Sequence, residues 1–143
     1  MLFARKERRI TRILVVEDEP LVAFDTEHFL GSEGFEIVGT VDTVVDACGV
    51  IERGEDIHLV LVDVNLSDGS GVTVAQAAAD RGIKVVFVTG NCPGDARALA
   101  VGCLAKPYAQ RDLLTAIAAL EKVMDGKMPK RLPSSFKLFA TVA

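Results

Sequence analysis

The chain has 143 residues, half of them hydrophobic, which is enough to bury one ordinary core but not a second large domain. Apolar runs such as 59–62 and 85–88 are only four residues long, which excludes a helix that spans a bilayer. The net charge is −4, but residues 1–12 hold five basic and one acidic side chain and residues 126–143 hold four basic and none acidic. Residues 13–125 are therefore strongly acidic, which argues against nucleic acid as the main partner of the protein.

Apolar strand patterns alternate with helical patterns in five successive rounds, which predicts an α/β fold. Most of the strands are β-branched and continuously apolar, as is typical of a parallel sheet buried on both faces. The predicted strands cover residues 13–16, 36–41, 57–62, 84–88 and 103–105.

Helix signals lie between these strands. Pro20 suits the first turn of a helix that runs through Leu30, with Glu19 or Asp18 able to cap it. Apolar residues at helical spacing predict further helices around 44–51 and 113–124. Only seven residues lie between the Pro- and Gly-containing segment 91–94 and Gly102, so a fourth helix there should be short or irregular.

The chain divides into a basic arm at 1–11, a domain at 12–125 and a basic, apolar tail at 126–143. We expect the tail to dock on the domain, because Phe136 and Phe139 are too apolar for a fully solvated segment. The N-terminus lacks the continuous apolar stretch of a secretory signal, so a cytoplasmic protein is expected. The cysteines Cys48, Cys92 and Cys103 form no closely spaced pair in the sequence, and we expect buried free thiols.

Chemistry-bearing residues follow four of the five predicted strands. Ligands of parallel α/β sheets bind beyond the carboxyl ends of the strands, so these residues should converge. They are Glu17 and Asp18 after the first strand, Asp63 after the third, Thr89 after the fourth, and Lys106 after the fifth. Three crowded carboxylates repel one another unless a cation neutralises them, and oxygen ligands suit Mg²⁺. The pattern favours Asp63 as the nucleophile that accepts a phosphoryl group, with Lys106 offsetting the incoming charge.

Four segments together resemble the receiver domain of two-component response regulators. They are VVEDEP at 15–20, LVDVNLSDGSG at 61–71, VFVTGN at 86–91 and AKPY at 105–108. The resemblance covers about residues 11–125 and implies a flavodoxin-like, doubly wound, three-layer fold with parallel strand order 2-1-3-4-5.

The resemblance also implies roles for individual residues. Glu17 and Asp18 match the acidic pair that holds Mg²⁺, or Mn²⁺ in its place. Asp63 matches the phosphoacceptor, and Asn65 matches the position whose backbone carbonyl completes the metal shell. The remaining matches are Thr89 (switch hydroxyl), Lys106 (phosphate-binding lysine), Pro107 (following a cis peptide bond) and Gly90 (a small residue that leaves the phosphoryl group accessible). Asn91, next to Gly90, is predicted to modulate the switch.

Two features depart from the family pattern. Cys103 stands where receivers usually carry an aromatic switch residue, and the stretch from Thr89 to Lys106 is several residues shorter than usual. The run 87–90, with Tyr108 after Lys-Pro, is similar to an atypical, often free-standing receiver subgroup with an F-A-T-G signature. We hypothesise that Tyr108 replaces the missing aromatic residue, although packing at the start of the last helix explains it equally well.

The resemblance implies a histidine kinase or histidine phosphotransfer protein as phosphodonor, and a downstream protein target or phosphorelay, including stress-response circuits. Two other functions stay open. An aspartate-based phosphatase would normally carry a second Asp where this chain has Asn65. A pseudo-receiver that only binds proteins would typically lack the acceptor Asp, the acidic pair or the Lys, all of which are present.

Overall fold

The computed structural model describes residues 8–139, and within them six strands form one sheet flanked by five helices. The strands are β1 (Arg12–Val16), β2 (Glu36–Val41), β3 (Leu59–Asp63), β4 (Lys84–Thr89), β5 (Gly102–Ala105) and β6 (Phe136–Leu138). The helices are α1 (Pro20–Ser32), α2 (Val44–Glu52), α3 (Gly71–Asp80), α4 (Ala96–Leu99) and α5 (Gln110–Met124). A separate two-residue hairpin pairs Asn65–Leu66 with Gly69–Ser70.

The sheet has the order β2-β1-β3-β4-β5-β6. The first five strands are parallel, which confirms the predicted fold class and the order 2-1-3-4-5. The sixth strand, from the C-terminal tail, adds antiparallel to β5 and was not predicted. All the parallel strands therefore present their carboxyl ends at one edge of the sheet.

Two apolar layers cover the sheet because successive strand residues point to opposite faces. In β3, Val60 and Val62 pack in the cluster with α2 and α3, whereas Leu59 and Leu61 pack in the cluster with α1 and α5. The same alternation runs through β1 and β4, so the strands are apolar on both faces. This arrangement gives the expected three-layer sandwich.

Helix ends follow the sequence signals only in part. Pro20 opens α1 as predicted, but neither Asp18 nor Glu19 caps it with a side chain, and the helix continues through Gly31 to Ser32. The backbone N–H of Glu19 instead donates a hydrogen bond to Glu17 Oε2 at 3.1 Å. The start of the helix therefore helps to hold the carboxylate of Glu17 in place. The fourth helix has four residues, which confirms the predicted short element.

The C-terminal tail packs against the domain. Phe136 is 4% exposed, and its ring covers Gly102, where a Cβ atom would lie 2.6 Å from the ring carbons. The predicted arm at 1–11 and tail at 126–143 extend into residues 1–7 and 140–143, which lie outside the described residues, so these limits stay a prediction. Among the described helices, none combines the length and hydrophobicity that a membrane crossing requires.

Candidate phosphorylation site

Three carboxylates converge at the carboxyl edge of the sheet. Asp63 is the last residue of β3, and Glu17 and Asp18 directly follow β1, the neighbouring strand. One carboxylate oxygen from each of the three residues lies within 4.8 Å of the others. Glu17 and Asp63 are 5% and 8% exposed, so their charges are largely removed from water. Burial of these groups requires a positive partner.

Lys106 provides that positive charge from the end of β5. Its Nζ donates to Glu17 Oε1 at 2.6 Å and to Asp63 Oδ2 at 3.0 Å. Its backbone N–H donates to the carbonyl of Thr89, which fastens the lysine to the end of β4. The Lys106–Pro107 peptide bond is cis, as predicted. The ammonium group therefore bridges two carboxylates contributed by different strand ends.

The pKa values at the site reflect both burial and ion pairing. Burial raises the pKa of Glu17 above its usual value, although hydrogen bonds from Lys106 and from the Glu19 backbone oppose the rise. Burial lowers the pKa of Lys106, but its hydrogen bonds to Glu17 and Asp63 outweigh this and the net pKa is raised. The lysine is therefore charged at neutral pH, while the crowded Glu17 has a reduced preference for the ionised form.

Thr89 ends β4 and is 3% exposed. Its hydroxyl donates to the carbonyl of Asn91 at 3.2 Å and accepts from the Asn91 backbone N–H at 3.3 Å. The hydroxyl is thus engaged with its own loop in this structure. Gly90, between them, is exposed, and a Cβ atom at this position would meet nothing within 4 Å. The approach to the site past Gly90 is therefore open.

The loop after Asp63 contains a contact that the sequence analysis missed. Gly71, the first residue of α3, lies so close to Asp63 that a Cβ atom would stand 2.0 Å from the Asp63 carbonyl oxygen. Its N–H donates to the carbonyl of Val64 at 2.7 Å, and the Asn65 N–H donates to Asp63 Oδ1 at 3.1 Å. The glycine-rich run after Asp63 was the available signal, but a glycine run alone does not identify which glycine makes the close approach.

A cleft of about 430 Å³ opens over these groups, and its lining comprises Asp18, Glu19, Pro20, Asp63, Asn65, Thr89, Gly90 and Lys106. Tyr108 lies outside this lining. It lines an adjoining cavity of about 350 Å³ together with Thr26 of α1. The structure thus gathers the predicted acidic residues, Asn65, Thr89, Gly90 and Lys106, and places Tyr108 beside them.

Cys103 lies elsewhere, on the face of β5 that packs with α2 and α3, and it is 3% exposed. The expectation of three buried free thiols is wrong in part, because Cys48 and Cys92 are only half-buried. Burial raises the pKa of the Cys103 thiol to about 12, with a smaller contribution from Cys92.

The donor set fits a divalent cation that prefers oxygen ligands. One carboxylate oxygen from each of Glu17, Asp18 and Asp63 lies within 4.8 Å of the other two, which is close enough for a single ion to contact all three. Lys106 pairs with Glu17 and Asp63, so the cluster of three carboxylates keeps negative charge that a cation would offset. Burial raises the pKa of Glu17, and the nearby charge of Asp63 adds to the rise.

Comparison with known proteins gives matches over most of the chain. The response regulator receiver domain family matches residues 13–118. The phyllosphere-induced regulator PhyR of Methylorubrum extorquens is 37% identical over 81 residues, which are 55% of this chain and 30% of PhyR. This chain therefore matches less than a third of the length of PhyR.

Solved structures extend the likeness to the fold. A CheY-like receiver domain from Methanospirillum hungatei superimposes with a TM-score of 0.72 and 29% identity, over 81% of this chain and 97% of that one. The BeF3-activated conformation of SdrG from Pseudomonas melonis has a TM-score of 0.63 and 40% identity, over 78% of this chain and 96% of that one.

Proposed function

Because the chain belongs to the response regulator receiver domain family, we propose that it is a signalling switch that accepts a phosphoryl group on Asp63. The observation that carries the proposal is the bridging position of Lys106 Nζ, 3.0 Å from Asp63 Oδ2 and 2.6 Å from Glu17 Oε1. A lysine held there neutralises the acceptor carboxylate and stands where phosphoryl oxygens would arrive.

In the proposed reaction an Asp63 carboxylate oxygen attacks the phosphorus of a phosphohistidine. The new P–O bond forms as the P–N bond breaks, and the leaving imidazole nitrogen takes up a proton. Lys106 stays protonated because its pKa is raised above the ordinary value, and it compensates the charge of the phosphoryl oxygens. The Asn65 N–H keeps the Asp63 carboxylate oriented through its bond to Oδ1.

Glu17, Asp18 and Asp63, with the backbone carbonyl of Asn65, would hold Mg²⁺, or Mn²⁺ in its place. When bound, such an ion supplies positive charge between the acceptor and the phosphoryl oxygens. The cluster geometry and the excess of carboxylates over ammonium groups support this assignment.

The switch in this proposal is the hydroxyl of Thr89. In the present structure it bonds Asn91 of its own loop. A phosphoryl oxygen on Asp63 offers a stronger, charged acceptor, so the hydroxyl would turn to it and release the loop at 90–95. Gly90 leaves room for that approach.

For partners, we propose a histidine kinase or histidine phosphotransfer protein as donor and a protein as target or next phosphate acceptor. The F-A-T-G-like run at 87–90 and Tyr108 favour the atypical receiver subgroup and a stress-response circuit. No catalysis beyond the protein's own phosphorylation and slow hydrolysis is proposed.

The test is incubation with Mg²⁺ and acetyl phosphate, followed by intact mass measurement. The wild type should gain one base-labile, acid-stable phosphoryl group, and Asp63→Asn should gain none. Lys106→Gln should be labelled more slowly by about 10²-fold, as expected when a charge-stabilising donor is removed. Asp80→Asn, which removes a carboxylate at the far end of α3, is the matched control and should behave as wild type.

Each alternative has its own outcome in this experiment. Undiminished labelling of Asp63→Asn would contradict the site assignment. Failure of the wild type to take any label, with either acetyl phosphate or a phosphorylated kinase, would favour a pseudo-receiver. Rapid turnover of many equivalents of phosphate would favour a phosphatase.

A further inference from the structure

The C-terminal segment 135–139, which we call the strap, is fastened along β5, the last of the parallel strands. Its strand β6 pairs antiparallel with β5. At one end of the pairing the Ala105 N–H donates to the carbonyl of Ser135 at 2.7 Å, and at the other end the Phe139 N–H donates to the carbonyl of Val101 at 2.8 Å. The strap is therefore bonded to the residue that directly precedes the site lysine.

The side chains of the strap contact both faces of the sheet. Phe136 packs in the cluster with α1 and α5, and Ser135 Oγ donates to Asp112 Oδ2 of α5 at 3.0 Å. On the opposite face Phe139 packs against the cluster with α2 and α3, and the guanidinium of Arg97 in α4 lies 4.9 Å from its ring centroid. One short segment thus contacts β5, α4 and α5.

The α4 contact of the strap is connected to the switch loop at 90–95. The Thr89 hydroxyl bonds this loop, and the carbonyl of Pro93 in the loop accepts the N–H of Ala96, the first residue of α4, at 3.1 Å. The helix α4 has only four residues, which is too short to keep its position without its neighbours. A movement of the loop should therefore also move Arg97.

We propose that the strap is the output element of the switch, fastened while Asp63 is unphosphorylated and loosened at its Phe139 end when Asp63 carries a phosphoryl group. This inference rests on the proposed function, in which the Thr89 hydroxyl turns to the phosphoryl group and releases the loop. Arg97 then leaves the Phe139 ring, and the strap loses its contact with α4. This route from the site to the surface does not need the aromatic switch residue whose place Cys103 takes.

The contact that is lost sets the size of the coupling. Arg97 is exposed, and a cation–π contact at an exposed site shifts an equilibrium by about 2- to 5-fold. Because coupling between two sites is reciprocal, loss of the contact between Arg97 and Phe139 should favour the phosphorylated conformation by the same factor. The pairing of β6 with β5 and the burial of Phe136 remain, so the core stays folded.

The first measurement is amide hydrogen exchange by NMR in the full chain with Mg²⁺, with and without beryllofluoride in place of the phosphoryl group. Exchange of the Phe139 N–H should quicken about 2- to 5-fold when beryllofluoride binds. The Val101 N–H, bonded to Val85 within the sheet, is the internal control and should be unchanged. The Asn65 N–H, bonded to Asp63 Oδ1, reports occupancy of the site by its chemical shift. Unchanged Phe139 exchange with a shifted Asn65 signal would overturn the inference.

A second arm needs no phosphorylation and so separates this inference from the proposed function. Thr89→Val keeps the shape of the side chain but removes the hydroxyl that bonds the loop. Without beryllofluoride it should quicken Phe139 exchange about 2- to 5-fold, whereas the matched control Thr115→Val, at an exposed position of α5, should not. Unaltered exchange in Thr89→Val would overturn the coupling of loop and strap. Quickened exchange in Thr89→Val, with no Asn65 shift in wild type, would support that coupling and overturn its control by phosphorylation.

The reverse coupling is measured as the affinity of the full chain for beryllofluoride with Mg²⁺. Arg97→Gln and Phe139→Ala each remove the contact at the α4 end of the strap, and each should raise this affinity about 2- to 5-fold. Lys137→Gln, at an exposed position of the same segment, is the control and should bind as wild type. Because Arg97 is exposed, Arg97→Gln gives the answer even if Phe139→Ala fails to fold. Equal affinity of Arg97→Gln and wild type would overturn the proposal.

Discussion

At the level of single residues, the site depends on how one ammonium group is shared. Lys106 contacts both Glu17 and Asp63, so it relieves repulsion between carboxylates that arrive from two strands. The pKa of Lys106 is higher in the folded protein than in the unfolded chain. The ion pairs of Lys106 therefore stabilise the fold fully at pH values below the unfolded pKa, and this stabilisation is lost as the pH rises through the folded pKa. The site should therefore keep its charge arrangement across the neutral range.

Tyr108 offers a direct spectroscopic report on the site, because the chain has one tyrosine and no tryptophan. Burial raises the pKa of its phenol, although the hydrogen bond with Thr26 and the charge of Lys106 oppose the rise. We predict that beryllofluoride with Mg²⁺ changes Tyr108 fluorescence in wild type and leaves it unchanged in Asp63→Asn, since phosphorylation alters the charge around Lys106.

The same residue gives a pH prediction. The unfolded chain should ionise its phenol near pH 10, before the folded protein does. The free energy of unfolding should therefore fall above pH 10 in wild type more steeply than in Tyr108→Phe, as measured by urea denaturation. If Tyr108→Ala left the phosphorylation-induced NMR shifts around Thr89 and Cys103 unchanged, Tyr108 would be a packing residue only.

At the level of elements, the β3–α3 connection is shaped around the acceptor. Asp68, in the turn of the short hairpin, accepts hydrogen bonds from the N–H groups of Val44 and Val45 at 2.7 and 3.1 Å. These bonds lower the pKa of Asp68 and satisfy the first turn of α2, which Thr43 also caps. The loop that positions Asp63 is thus fastened to a neighbouring helix.

Gly71 is the element-level position most sensitive to substitution. In Gly71→Ala the new methyl group would meet the Asp63 carbonyl oxygen at 2.0 Å, and backbone must move to relieve the contact. We predict a loss of about 1–3 kcal/mol in the free energy of unfolding, with slower labelling by acetyl phosphate because Asp63 is displaced.

The matched control for Gly71 is Gly49 in α2, where a Cβ atom would meet nothing within 4 Å. Gly49→Ala should stabilise by about 0.5–1 kcal/mol, as alanine is the better helix residue, and should leave labelling unchanged. Equal stability of Gly71→Ala and wild type in thermal and urea denaturation would contradict the close approach.

At the scale of the whole molecule, residues before β1 and after α5 complete the hydrophobic core. Ile10, within the predicted arm, is fully buried, and the N–H groups of Arg9 and Ile10 donate to Glu121 of α5. At the other end, Ser135 accepts from the Ala105 N–H through its carbonyl, and the guanidinium of Arg97 lies 4.9 Å from the Phe139 ring centroid. The tail thus lies along β5, directly before Lys106.

Substitution of Phe136 tests how much the C-terminal tail contributes to the free energy of unfolding. Phe136→Ala should lower the free energy of unfolding by about 3–5 kcal/mol, because a fully packed ring over Gly102 is lost. Phe24→Ala is the control, since Phe24 is 64% exposed on α1 and its removal should change stability by about 0.5 kcal/mol or less. Similar midpoints of urea unfolding for the two variants would show that the tail is a passive attachment.

The parallel α/β fold and the convergence of polar residues at one sheet edge could be predicted from the chain for a physical reason, whereas the strand order was implied by the resemblance to receiver domains. Parallel strands are apolar on both faces and end at one edge, so the polar residues that follow β1, β3, β4 and β5 must meet there. The convergence of Glu17, Asp63, Thr89 and Lys106 was predicted in this way. Only the tertiary structure decided that Gly71 touches Asp63 and that Phe136 extends the sheet. Those contacts join residues that no sequence periodicity relates, because they depend on how the loops and the tail pack against the core.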